Sequence, residues 1–143
     1  MQIIMLAGLT SGGLDIISAL TLNKLKGVTA MRSLQVISSG VLGPKAFAGG
    51  GVTAAMGLGI HFFIAVVVAA TYYVASRKLG VLVEYAALCG MLYGIGVHLF
   101  MTFIVLPLSG VRRPFSFTAF AAQLIIHMFC VGLAISLVIR HFN

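Results

Sequence analysis

Residues 57–73 read GLGIHFFIAVVVAATYY, an apolar run broken in its first half by one imidazole. Followed back to Val52 and on to Ser76, the run exceeds the roughly 20 residues that an α-helix needs to cross the hydrocarbon core of a bilayer. It ends at the charges of Arg77 and Lys78. An uncharged run of this length decides the class: a membrane-spanning helix. His61 inside it raises a second question, because an unpaired imidazole in hydrocarbon is costly and needs a partner or a role.

Three further runs of the same kind lie at about 3–22, 84–107 and 116–140. Of the 143 residues, 61% are hydrophobic and only 8% charged, whereas a soluble domain carries about a quarter charged residues. The expectation is an all-α integral membrane protein. Its fold would be one domain over 1–143, a four-helix transmembrane bundle with helices at about 3–22, 52–76, 84–107 and 116–140. The two later connections are short, so helices two, three and four are expected as antiparallel neighbours.

The first connection is longer and contains RSLQVISSGVLGPKAFAGGG, residues 32–51. Met31, Leu34, Ile37 or Ser38, and Val41 recur at helical spacing, with Arg32, Gln35 and Ser39 off that face. That pattern predicts a short amphipathic interfacial helix at about 30–42, between helices one and two. Gly43-Pro44 stops it, and Gly49–Gly51 permits a sharp turn into helix two.

The formal net charge of +7 comes from nine Lys and Arg against two acids, Asp15 and Glu84. The basic residues sit in short loops between apolar runs and form no basic face, which excludes a nucleic-acid partner. Anionic lipid headgroups are the natural partner, with Arg32, Lys45, Arg112 and Arg113 as the contacts. Within PLSGVRRPF, residues 107–115, the prolines and arginines read as a stop, a turn and a headgroup anchor. Glu84 suits the N-terminal dipole of helix three and the charges of Arg77 or Lys78. Tyr72 and Tyr73 read as an interfacial anchor, and Tyr93 as core packing. Cys89 and Cys130 fall inside helices without CxxC spacing and read as buried apolar thiols. The apolar start lacks a basic region and carries Asp15, so a retained first helix is expected rather than a cleaved leader. Four spans put both termini on one side with Arg77, Lys78 and Arg140. The opposite side holds Lys24, Lys26, Arg32, Lys45, Arg112 and Arg113, which predicts periplasmic termini.

Polar and small residues form stripes along these helices. Helix one carries Gly8, Ser11, Gly12, Asp15, Ser18 and Ala19, and helix two Thr53, Gly57, His61, Ala65, Ala69 and Tyr72. Helix three carries Gly90, Gly94 and His98, and helix four Ser116, Gln123, His127, Cys130 and Ala134. Small residues allow close backbone approach and polar ones hydrogen-bond across it, so these stripes should face inward. Counted from one membrane face at 1.5 Å per residue, Asp15, His61, His98 and His127 converge on a layer roughly 6 Å thick.

Three readings of that layer stay open. The groups hold helices together, with Gln123 or Thr102 completing the network. Alternatively His61, His98 and His127, with Asp15, ligate a metal ion or a haem-type macrocycle as cofactor. Or they relay protons or bind a permeating species. No nucleophile–base pair or phosphate-binding loop is present, so no enzyme is expected. The remaining function classes are a small membrane protein with a metal, haem or proton site, a structural or accessory subunit of a larger membrane complex, and a homo-oligomer that transports a small solute.

The stretches GLGIHFFIAVVVAATYYVASRK (57–78), GMLYGIGVHLFMTFIVLPLSG (90–110) and AAQLIIHMFCVGLAISLVIRH (121–141) carry a family pattern. The chain resembles the YagU-like small bacterial inner-membrane proteins over most of helices two to four. Those proteins share a His in helix two, an H or Y before an apolar run ending PL.G, and a His in helix four. The resemblance points to His61, Pro107, Leu108 and His127, and to His98 at the H or Y position. It implies a bacterial inner-membrane location and brings no activity with it. RSLQVISSGVLGPKAF departs from the longer first connection of the better-known member.

Overall fold

Each apolar run folds as one helix, because only an α-helix satisfies every backbone polar group within its own segment. The computed structural model describes residues 1–111 and 114–143; the headgroup contacts read at Arg112 and Arg113 lie outside the described residues. Among the described residues there is no strand. The helices are α1 (Gln2–Leu25), α2 (Ala30–Leu42), α3 (Gly50–Ser76), the single turn α4 (Val81–Glu84), α5 (Ala86–Leu108) and α6 (Phe117–Phe142). A 3₁₀ segment, Gly43–Ala48, links α2 to α3. Four of these, α1, α3, α5 and α6, are long and apolar enough to cross a membrane.

Local chemistry sets the ends. Thr29 caps α2 by accepting a hydrogen bond from the Arg32 amide at 3.2 Å. Ser116 caps α6 in the same way through the Ala119 amide at 3.4 Å. Both are ordinary N-cap chemistry, satisfying an amide that has no partner inside the helix. Gly43, at φ +62°, turns the chain out of α2 through backbone space that side chains avoid.

The bundle is inside-out by the standards of a soluble protein. Buried positions are mostly small or polar: Ala7, Ser11, Ala54, Ala65, Ala69, Ala86 and Ser136. Large apolar side chains point outward, as at Phe63, which is 70% exposed. Backbones therefore touch. A methyl group added to Gly94 would meet the backbone of His127 and Met128, and one on Gly132 would meet the backbone of Gly90 and Gly94. Gly8 lies likewise against Val66, and Gly57 against the Leu34 carbonyl.

These crossings give the order α2–α3–α1–α6–α5, each helix packed on the next. Helices α5 and α6 are neighbours, as the short loop predicts. Helices α3 and α5 are not: their backbones stay apart, and Tyr93 spans the gap by donating to the Val68 carbonyl at 2.8 Å. Tyr72, expected as an anchor at the interface, is 1% exposed. Its ring meets Tyr93 edge-on at 5.0 Å, and its hydroxyl donates to the Leu82 carbonyl at 2.9 Å. The wide gap requires a large side chain there, and a buried phenol requires an acceptor.

Helix α2 is amphipathic but sits with the opposite sidedness from the one its spacing suggests. Ser33, Gln35, Ser38 and Ser39 are buried, while Met31, Val41 and Leu42 are exposed. Gln35 donates to the Gly50 carbonyl at 3.1 Å, and Thr53 donates to the Ala46 carbonyl. These bonds satisfy backbone groups at the exposed start of α3, so the polar side turns inward. Glu84 ends α4 and, among the described residues, forms no ion pair with Arg77 or Lys78.

Two stretches widen to π-helical winding, Met101–Val105 in α5 and His127–Leu133 in α6. A π turn holds more residues than an α turn. The buried face of α6 therefore advances by fours, through Val131, Ile135 and Ile139. The expected stripe through Cys130 and Ala134 falls off that face.

Gly94→Val is expected to lower stability by about 1–3 kcal/mol, because its side chain meets backbone that has no room to yield. Gly96→Ala, with nothing within 4 Å of the added carbon, should be neutral or gain up to about 1 kcal/mol. Thermal unfolding of both variants in one detergent checks the contrast; equal losses would refute the crossing.

Candidate functional site

The crossings bring the layer residues together from four helices. Asp15 lies on the buried face of α1, where Gly8 and Gly12 let α3 come close. His61 of α3 places Nε2 at 2.9 Å from the Gly12 carbonyl and 3.9 Å from Asp15 Oδ2. On the other side, His127 of α6 has Nδ1 at 3.8 Å from Asp15 Oδ1. Gln123, one turn earlier on α6, donates its amide to Asp15 Oδ1 at 3.3 Å. The carboxylate is thus flanked by two imidazoles, one on each oxygen.

The hydrogen bonds also fix the tautomers. A backbone carbonyl only accepts, so His61 Nε2 carries the proton it shares with Gly12. His127 Nδ1 lies 3.0 Å from the Gln123 carbonyl and carries a proton for the same reason. Nδ1 of neutral His61 and Nε2 of neutral His127 are then the free bases. Each imidazole turns an N–H edge toward the carboxylate side and keeps a lone pair elsewhere.

His98 of α5 completes the group from behind His127. Its ring lies 5.1 Å from that of His127 and 4.8 Å from Phe120, centre to centre. It is 4% exposed, and its Nε2 has no hydrogen-bond partner among the described residues. Asp15, His61, His98, His127 and Gln123 all line one cleft of about 1050 Å³. The cleft runs from this layer past Thr102 and Met101 to Asn23, Lys26, Ser109 and Ser116. Residues Ser33, Val36 and Gly40 of α2 form part of its wall, and the Gly110 amide donates to the Gly40 carbonyl at 3.3 Å.

The remaining sequence candidates distribute as follows. Gln123 joins the network, while Thr102 lines the cleft without bonding to the layer. The Arg32 guanidinium sits 3.7 Å over the Phe47 ring, a cation–π contact. Lys45 is exposed in the 3₁₀ segment. Both cysteines are free and half-buried, and Cys130 Sγ lies 3.7 Å from Ser18 Oγ. Two participants escape a reading of polar side chains: the Gly12 carbonyl, which receives His61, and Phe120, against which His98 packs. The first had a signal in the small residues of α1; the second had none.

The four groups form a chain rather than a shell. Among the described residues, no three of His, Cys, Asp and Glu come together as a set able to hold a metal ion. Nor does a macrocycle fit between His98 and His127. A metal bonded at about 2 Å to a nitrogen of each ring would hold the ring centres farther apart than the observed 5.1 Å. No family model matches the chain, and no curated protein and no solved structure shows significant similarity to it.

Nitrogen-15 NMR of the histidines should find His61 as the Nε2–H tautomer and His127 as the Nδ1–H tautomer near neutral pH. Two like tautomers would contradict the carbonyl partners assigned above.

Proposed function

We propose that this chain is a small multi-pass protein of the bacterial inner membrane whose Asp15, His61 and His127 take up and pass on protons at the inner part of the cleft. One observation carries the reading: the only acid within the four long helices stands between two imidazoles on the wall of a cavity that reaches the α1–α2 turn. Ionisable groups inside a membrane are expensive to keep and mark ion or proton pathways. Carboxylate and imidazole are also the side chains that exchange protons at the mildest pH. The four apolar helices and the resemblance to YagU-like proteins support the location; Arg32 and Lys45 would face anionic headgroups. We assign no enzymatic reaction. Metal or haem binding would require His98 and His127 to separate, so the relay is the better fit.

A second reading has its own support. His61 to Gly12, His127 to Gln123 and Gln123 to Asp15 are all bonds that tie helix to helix or brace one helix. In an accessory subunit of a larger complex, such bonds would serve only to set register.

Liposomes loaded with a pH-sensitive dye separate the two. Under an imposed gradient, Asp15→Asn should lower proton flux at least about tenfold while the variant, still able to accept from Gln123 through its amide oxygen, melts within about 1 kcal/mol of wild type. Unchanged flux would remove the relay and leave the structural role.

A further inference from the structure

We infer that the cleft binds a neutral lipid-soluble molecule whose terminal carbonyl or hydroxyl oxygen is held by His98 Nε2. This deepens the proposed function, since it rests on the same cleft being used. It stands on a different residue, however, one that the proton relay leaves idle.

Three observations converge. First, His98 Nε2 is a buried polar atom with no partner among the described residues, on a side chain that lines the cavity. A polar group sealed from water without a hydrogen bond is unfavourable, and native structures rarely keep one without a reason. Both neighbouring rings, Phe120 and His127, pack against the imidazole and hold it in place. Second, the cleft of about 1050 Å³ has the size of a site for a lipid or cofactor rather than an ion. Between the layer and the mouth its walls include Ile16, Ile60, Ile64, Val97 and Met101. Third, the cleft reaches the outer surface of the bundle. Phe103 and Phe115 line it, yet they are 61% and 68% exposed. It lies where α3 and α5 fail to pack, and the Tyr93–Val68 bond bridges that gap one turn below His98.

Charge selects among ligands. The Asp15 carboxylate shares the inner part of the cleft and repels an anion. A cation would find that carboxylate already served by the Gln123 amide and facing two N–H edges. A neutral oxygen meets neither obstacle. It can accept from His98 Nε2 if that nitrogen carries the proton, and a hydroxyl can donate to it if it does not.

A benzoquinone bearing a decyl tail is a suitable probe, titrated into the full chain in nanodiscs with nitrogen-15 labelled histidine. A saturable shift of the His98 resonance, absent with decane, is the expected result. His98→Phe should weaken binding about tenfold or more, and His98→Gln, which keeps an N–H donor, should retain most of it. Ile64→Trp, filling the opposite wall, should block the probe while leaving the layer residues unaltered. No saturable shift, equal affinity in His98→Phe, or equally tight binding of decane would overturn the proposal. Binding retained in Asp15→Asn supports the proposal whatever that variant does to proton flux. Flux lost in Asp15→Asn with no His98 shift in wild type overturns the ligand and leaves the relay standing.

Discussion

Everything in this bundle depends on backbones being allowed to touch. The usual arrangement, large apolar side chains inside, is reversed: alanine, serine and glycine fill the centre and Phe, Leu and Ile the outside. Between helices surrounded by apolar solvent there is no hydrophobic gain from association, so dispersion contacts and hydrogen bonds have to provide it. Both require short distances. Gly94 against His127, Gly132 against Gly90, Gly8 against Val66 and Gly57 against Leu34 provide them.

The same contacts place the chemistry. Gly94 meets the His127 backbone itself, which sets His98, one turn along α5, beside the His127 ring. On the other side, Gly8 and Gly12 draw α3 onto α1 and carry His61 to the Gly12 carbonyl and the edge of Asp15. Tight packing on α1–α3 and α5–α6 leaves α3 and α5 unmatched. The cleft is the space between those two close pairs, closed at one end by Tyr93 and walled at the other by α2.

The class of fold was legible because length and hydropathy act over whole segments. Runs of more than 20 apolar residues admit one solution, and all four appear as long helices. The stripe of Gly90, Gly94 and His98 was legible too, since α5 keeps α-helical winding over that part. Its counterpart on α6 was not, because nothing in HMFCVGL announces a wide turn. The sidedness of α2 also escaped the pattern. Spacing separates an apolar from a polar face, but which one turns inward depends on the backbone groups of Ala46 and Gly50 waiting for donors. That Asp15 lies close to His61 and His127 could be expected from depth alone; that they form a line rather than a shell could not.

The wide turns bear on how this chain can change over time. Each holds an i→i+5 winding that a conventional helix would complete with fewer residues. Loss of a single residue between His127 and Leu133 would let the helix relax and swing everything after it by about 100°. Ile135, Ser136 and Ile139 would leave the inner face, and Ser136 would no longer sit against Gly90. Many substitutions on the outer surface leave such a helix intact, whereas a deletion of one residue rotates a third of it out of register. For α6, residue count is under tighter selection than residue identity.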